Sequence, residues 1–131
     1  MRLTGQVGGT LGGVNYHTSY TRNSGDGYRV HTGFHGDNFL AKAHWNPTSA
    51  VRLTPVLWYT AFYNENAEGL NLTWLAADRT QANPDAVTYN EYMDTRRVMG
   101  GVVGTVYSFK WWEAGFATGI FGVGTKLKVG K

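Results

Sequence analysis

The chain has 131 residues, enough for one domain and little more, and its formal charge of +3 comes from Lys and Arg scattered along the sequence. That scatter argues against a nucleic-acid footprint, and the absence of cysteine removes disulfides, thiolate nucleophiles and thiolate metal sites. Aromatic residues reach 15% and glycines number 18, with a mean hydropathy of -0.33, a mix poor for helices and good for strands and turns.

In chain order, alternation of apolar and polar residues predicts six strands. Residues 2 to 11 set Leu3, Val7 and Leu11 against Arg2, Thr4 and Gln6, and Gly12-Gly13 makes a tight hairpin into 14 to 21. A polar, Gly-rich link follows. Residues 38 to 45 then put Phe39, Ala41, Ala43 and Trp45 on one face and Leu40, Lys42 and His44 on the other. Asn46 to Ser49 reads as a turn. In 51 to 63, Leu53, Leu57, Tyr59 and Tyr63 stand opposite Arg52, Thr54, Trp58 and Thr60, and Pro55 predicts a bulge or break. A second long link precedes 95 to 109. The last strand, 112 to about 128, sets Phe116 and Ile120 against Glu113.

Short connections alternate with long ones, about 22–37 and 64–94, over a single domain spanning 1–131. An up-and-down meander with tight turns at one rim and large loops at the other is the pattern of an outer-membrane β-barrel. Trp45, Phe109, Trp111 and Trp112 would collect at the short-turn rim; Tyr20, Phe39, Phe62 and Tyr63 would collect at the long-link rim. The lipid-facing set is then Phe39, Ala41, Ala43, Trp45, Phe116 and Ile120, and the lumen-facing set Lys42, His44, Arg52 and Glu113. The same alternation also allows a soluble two-sheet sandwich, with Trp74 and Tyr92 left exposed to hold a sugar or a peptide. Six strands are too few to enclose the side chains assigned to a lumen, because eight give an interior only just wide enough for them. If the chain folds alone, a closed barrel of about eight strands is therefore expected, with extra strands from 28–35 and part of 70–92; the open edges could also close by pairing between copies or by the remainder of a larger receptor.

The stretch from Ser19 to Gly104 resembles the early barrel region of a TonB-dependent outer-membrane receptor. The resemblance rests on Gly25-Asp26-Gly27-Tyr28-Arg29 after a strand and Asp37-Asn38-Phe39-Leu40 opening the next. It rests also on Gln81-Ala82-Asn83-Pro84-Asp85-Ala86 leading to Asn90-Glu91-Tyr92 and Thr95-Arg96-Arg97, in that order and spacing. The family has a plugged barrel of about 22 strands and imports ferric siderophores, other metal chelates, cobalamin or sugars with energy passed on by TonB. The resemblance implies a bacterial outer-membrane location, lipid or detergent as partner, and part of a nutrient receptor. A plug and a TonB-contacting segment are missing from the sequence, so autonomous active transport is not expected.

Chemistry has little support in the residues. His31 and His35 share a link but bring no defined third ligand, so no metal site is expected. "GIFGVGTK" at 119 to 126 has its Lys after the Thr and no helix predicted behind it, unlike a phosphate loop. No carboxylate pair has the spacing of a general acid and base, so no catalytic residue, enzyme activity or cofactor is expected. For ligand contact the candidates are Trp74, Tyr89, Tyr92, Arg96 and Arg97, whose flat aromatic surface and guanidinium donors suit an anionic aromatic chelate such as a ferric siderophore.

Overall fold

A computed structural model describes residues 1–106 in full and the backbone of 118–130. Strands β1 (Arg2–Leu11), β2 (Val14–Gly25), β3 (Phe34–Thr48), β4 (Val51–Glu65), β5 (Tyr92–Val106) and β6 (Thr118–Gly130) form one antiparallel sheet in sequence order. The fold is thus an all-β, up-and-down meander. Gly12 and Gly13, at φ 54 and 82, make the β1–β2 hairpin, a connection that needs left-handed backbone at both central positions.

Each rung places partners on a common face, because directly opposed residues in an antiparallel pair point the same way. One rung runs Thr18, Ala41, Leu57, Gly100; the next on the same face runs Tyr20, Phe39, Tyr59, Val98. The opposite face carries the rung Gln6, Ser19, Leu40, Trp58, Met99 and the rung Gly8, His17, Lys42, Val56, Gly101. Phe39, Ala41, Ala43 and Trp45 therefore share the first, apolar face, and Lys42, His44 and Arg52 the second, mixed face, as the alternation predicts. Glu113 and Phe116 lie outside the described residues, as do Phe109, Trp111, Trp112 and the side chain of Ile120.

On the apolar face β4 carries no charge from Val51 to Tyr59, nine residues, and β5 none from Val98 to Val106. Charge begins on this face one rung higher, where Arg22, Asp37 and Arg96 flank Ala61. β3, β4 and β5 each have 15 residues, more than the roughly 9–11 of a tilted membrane-crossing strand.

The structure departs from expectation in several places. Among the described residues the sheet has six strands rather than the expected eight, and no ladder joins β1 to β6. The segments expected to add strands do other things. Residues 28–33 form turns, and the second long link holds helices α1 (Leu72–Ala77) and α2 (Pro84–Thr88). Side-chain capping explains the helices: Asn71 accepts from the Trp74 amide at 2.8 Å and Asn83 from the Asp85 amide at 3.0 Å, with Pro84 pre-set for a first helical turn.

The expected turn at Asn46 is displaced, since β3 continues through a register shift to Thr48 and the turn falls at Ser49-Ala50. Pro55 pairs with Val102 in the β4–β5 ladder, so the expected break is confined to the β3 side, where pairing passes from Lys42–Val56 to Trp45–Leu53. That is where the missing amide would have donated. Phe62 leaves the expected long-link girdle, because it sits on the rung of Gly36 and Thr95, on the mixed face.

Among the described residues neither face of the sheet is covered. Among the described residues no second sheet packs on it, and no large side chain is fully buried. Trp45 on one face is 47% exposed and Trp58 on the other 45%. Among the described residues the buried apolar ones are Ala67, Ala82 and Ala86, all in the second long link. Among the described residues no helix is long and apolar enough to cross a membrane, a criterion that says nothing of strands.

Candidate functional site at the long-link rim

The two long links, 26–33 and 66–91, meet at one end of the sheet. Arg29 is the joint: its Nε donates to Gln81 O at 3.0 Å, Nη1 to Glu68 O at 2.7 Å and Nη2 to Ala67 O at 3.2 Å. One planar guanidinium thus satisfies three carbonyls of a segment about forty residues away, a geometry its fork of donors suits. The Val30 amide adds a bond to Thr80 O at 2.7 Å.

His31, held at φ 59, places Nε2 2.8 Å from Glu91 O and Nδ1 3.9 Å from Glu65 Oε2. Glu65 Oε2 also accepts from the Gly33 amide at 2.9 Å, and Asn66 Nδ2 donates to Glu91 Oε2 at 3.3 Å. Gly27 stands at φ 74, and a Cβ there would lie 2.3 Å from Thr32 Oγ1 and 2.7 Å from Thr32 O. The motif Gly25 to Arg29 therefore does conformational work, closing its own turn and then clasping the other link.

Below this layer, the apolar face ends in a band of aromatic and charged side chains. His35, Tyr63 and Tyr92 stack across β3, β4 and β5, with ring centroids 4.9 and 5.4 Å apart. Tyr20 donates its hydroxyl to Asp37 at 2.5 Å, and Arg22 Nη1 lies 3.6 Å from the same carboxylate. Arg96 Nη2 is 3.4 Å from Asp94. Between these pairs is an open depression of about 370 Å³ lined by His35, Asp37, Tyr63, Asp94 and Arg96 among others. A second hollow, about 610 Å³, is lined by Tyr28, Leu72, Leu75 and residues 76–80. At its edge the Asp78 carboxylate accepts from the Thr80 hydroxyl at 2.7 Å and amide at 2.8 Å, which holds its pKa below the usual carboxylate range.

The structure does not bring the five expected ligand residues together. Trp74 is on α1, its amide held by Asn71, and Tyr89 is the exposed C-cap of α2. Tyr92 and Arg96 belong to the band on the apolar side, opposite Glu65 and Ala61. Arg97 registers with Thr60 and so points from the mixed face, toward the side of Lys42, His44 and Arg52. Adjacent residues of a strand cannot serve one pocket on one face.

What the sequence reading missed is the clasp of Arg29, His31, Glu65 and Glu91 and the ring stack at His35 and Tyr63. The Gly-Asp-Gly turn ahead of Arg29 was visible, but its partner segment is distant in sequence. Among the described residues no group of three or more His, Asp or Glu is arranged to hold a metal ion. No protein-family model matches the chain, and no curated protein matches it.

Proposed function

We propose that the chain is wall from an outer-membrane β-barrel, resembling part of a TonB-dependent nutrient receptor, with the apolar face toward lipid and the mixed face toward a hydrated lumen. The observation that carries this reading is a single-layer sheet whose apolar face carries no charge over nine residues of β4 and of β5 and, among the described residues, has nothing packed on it. A soluble domain has to bury such a face against a second layer, whereas a barrel leaves it to acyl chains, in a band about 25 Å tall with aromatics at its borders. On this reading the polar rim beyond Tyr20, Phe39 and Tyr59 and the clasped links stand outside the hydrocarbon, as the outer ligand-facing surface. Lys42, His44, Arg52 and Arg97 line the lumen, where a ferric chelate of negative charge would pass or bind. On this reading the chain supplies wall and rim.

The test is behaviour with and without amphiphile. The chain is purified in plain buffer and in detergent, then compared by size exclusion and circular dichroism. The expected result is strand structure that resists heat only in detergent or vesicles. A monodisperse β-rich monomer in plain buffer would overturn the reading.

A further inference from the structure

We infer that the β5–β6 corner of the long-link rim binds a lipid headgroup ending in a phosphate monoester, through Arg96, Lys126 and Lys128 on the apolar face. The inference rests on the membrane reading above and names the lipid that this face would hold.

Among the described residues, charge on the apolar face is confined to one rim. From the rung of Leu11, Val14, Trp45, Leu53 and Gly104, at the short-turn end, up to that of Tyr20, Phe39, Tyr59 and Val98, the face carries none. On the next rung register sets Arg22, Asp37, Ala61, Arg96 and Lys126 side by side, and the one beyond it holds His35, Tyr63, Asp94 and Lys128. Two residues rise about 6–7 Å along a strand, and less along the membrane normal when the strand is tilted. The first charged rung therefore falls within the headgroup layer, about 5–7 Å deep on each side of the hydrocarbon. Charge at one rim only assigns the site to one leaflet, the one beneath the long links.

Sign and number select the headgroup. Both lysines of β6 register with the apolar face, while Thr125, Leu127 and Val129 register with the other. Neighbouring strands stand about 4.8 Å apart, which groups Arg96, Lys126 and Lys128 around the single carboxylate of Asp94. Three cations against one carboxylate leave two positive charges. A phosphate monoester carries about −1.5 to −2 at neutral pH; a phosphodiester, with one ionisable oxygen, carries less. The β2–β3 side is close to balanced, because Arg22 lies 3.6 Å from Asp37. Arg96 lies 3.4 Å from Asp94 and still leaves its side chain 62% exposed, with guanidinium donors suited to two phosphate oxygens at once. Arg96 and Asp94 also line the depression of about 370 Å³ with Tyr59 and Tyr63, so the headgroup meets a concave surface.

For the test, the chain is folded into phosphatidylcholine vesicles holding a small mole fraction of phosphatidic acid, the phosphomonoester probe, or of phosphatidylglycerol. Lipid retained after extraction in mild detergent is counted by native mass spectrometry. The expected result is preferential retention of phosphatidic acid, weakened by salt. Arg96→Gln and the double variant Lys126→Gln/Lys128→Gln should reduce it by about fivefold for each cation removed, the effect of one basic residue near a membrane surface. Lys42→Gln, on the other face, should retain it like the parent. A gel-shift assay in vesicles shows that each variant is folded, and should a Gln variant fail to fold, Arg96→Lys carries the comparison, with retention below the parent expected from loss of the planar fork.

Equal retention of the two anionic lipids by the parent overturns the headgroup site and leaves the barrel reading standing. So does full retention by the folded variants at 96, 126 and 128, or an equal loss in Lys42→Gln. Displacement of phosphatidic acid by inorganic phosphate means a site for the free anion and overturns the lipid as occupant. A folded monomer in plain buffer overturns both readings.

Discussion

Arg29 gives the sharpest case of a residue acting beyond its neighbourhood. Its three bonds to Gln81, Glu68 and Ala67 carbonyls join two links that have no strand pairing between them. Lysine keeps the charge but not the planar fork. Arg29→Lys should therefore loosen residues 66–91 by about 1.5–3 kcal/mol, the range for bonds to a charged group, leaving the sheet unaltered. Hydrogen exchange checks this: faster exchange is expected at 66–91 alone, and unchanged rates there would count against the clasp. Gly27→Ala attacks the same joint from the backbone, combining a left-handed φ with a Cβ against Thr32. A cost of about 1–3 kcal/mol is expected, read as a lower midpoint for thermal loss of the link signal. At Asp78 the folded pKa is depressed by Thr80. That contribution is present above the ordinary carboxylate range and is lost as pH falls through the folded value. In acid the turn after α1 should exchange faster, and Asp78→Asn should abolish that pH dependence.

At the scale of a strand, the two faces of β3 make opposite predictions for adjacent residues. Ala41 and Ala43 share the uncovered apolar face with Leu57, while Lys42 stands on the other side, level with His17. A basic residue toward lipid costs about 2–4 kcal/mol near the bilayer midplane, and a lumen substitution costs little. Ala41→Arg and Ala43→Arg should block folding into vesicles, and Lys42→Gln should leave it intact, in a gel-shift folding assay. Equal damage from all three variants would reverse or cancel the inside-outside assignment. β5 offers the matching test for ligand contact, since Arg96 pairs with Asp94 on the apolar side and Arg97 faces the lumen side with Thr60. Arg97→Ala should weaken binding of an anionic ferric chelate to the vesicle-inserted protein, while Arg96→Ala should leave it within a few-fold of the parent.

For the whole molecule, the sheet and the link layer are held by different means. β3, β4 and β5 are paired on both sides along most of their length. The links hang on caps, the Arg29 clasp and three small buried alanines. Helices of six and five residues have almost no stability of their own. In detergent the links should therefore open first, with amides of 72–77 and 84–88 exchanging well before those of β3 to β5. Synchronous exchange of both regions would mean the links are fastened to the sheet more tightly than their contacts allow.

The sequence by itself determined the meander, the strand order and the sides. β1 begins and ends where alternation says, Gly12-Gly13 makes the hairpin, and Lys42, His44 and Arg52 share a face. These properties are local: a side-chain period of two is written in residues i and i+2, and a hairpin glycine pair needs no distant partner. Strand length was less legible. β3 and β5 run on through His35, Asp37 and Asp94, where the apolar face turns polar and alternation gives no contrast. The capping signals of Asn71, Asn83 and Pro84 were present in the second link, but two short helices leave too few turns for a helical period to show. Only the tertiary structure decided that Arg29 clasps residues 67 to 81, that Tyr63 stacks between His35 and Tyr92, and that Arg96 and Arg97 part company. The first two are contacts between segments far apart in the chain, and the third follows from a register that neighbouring strands fix together.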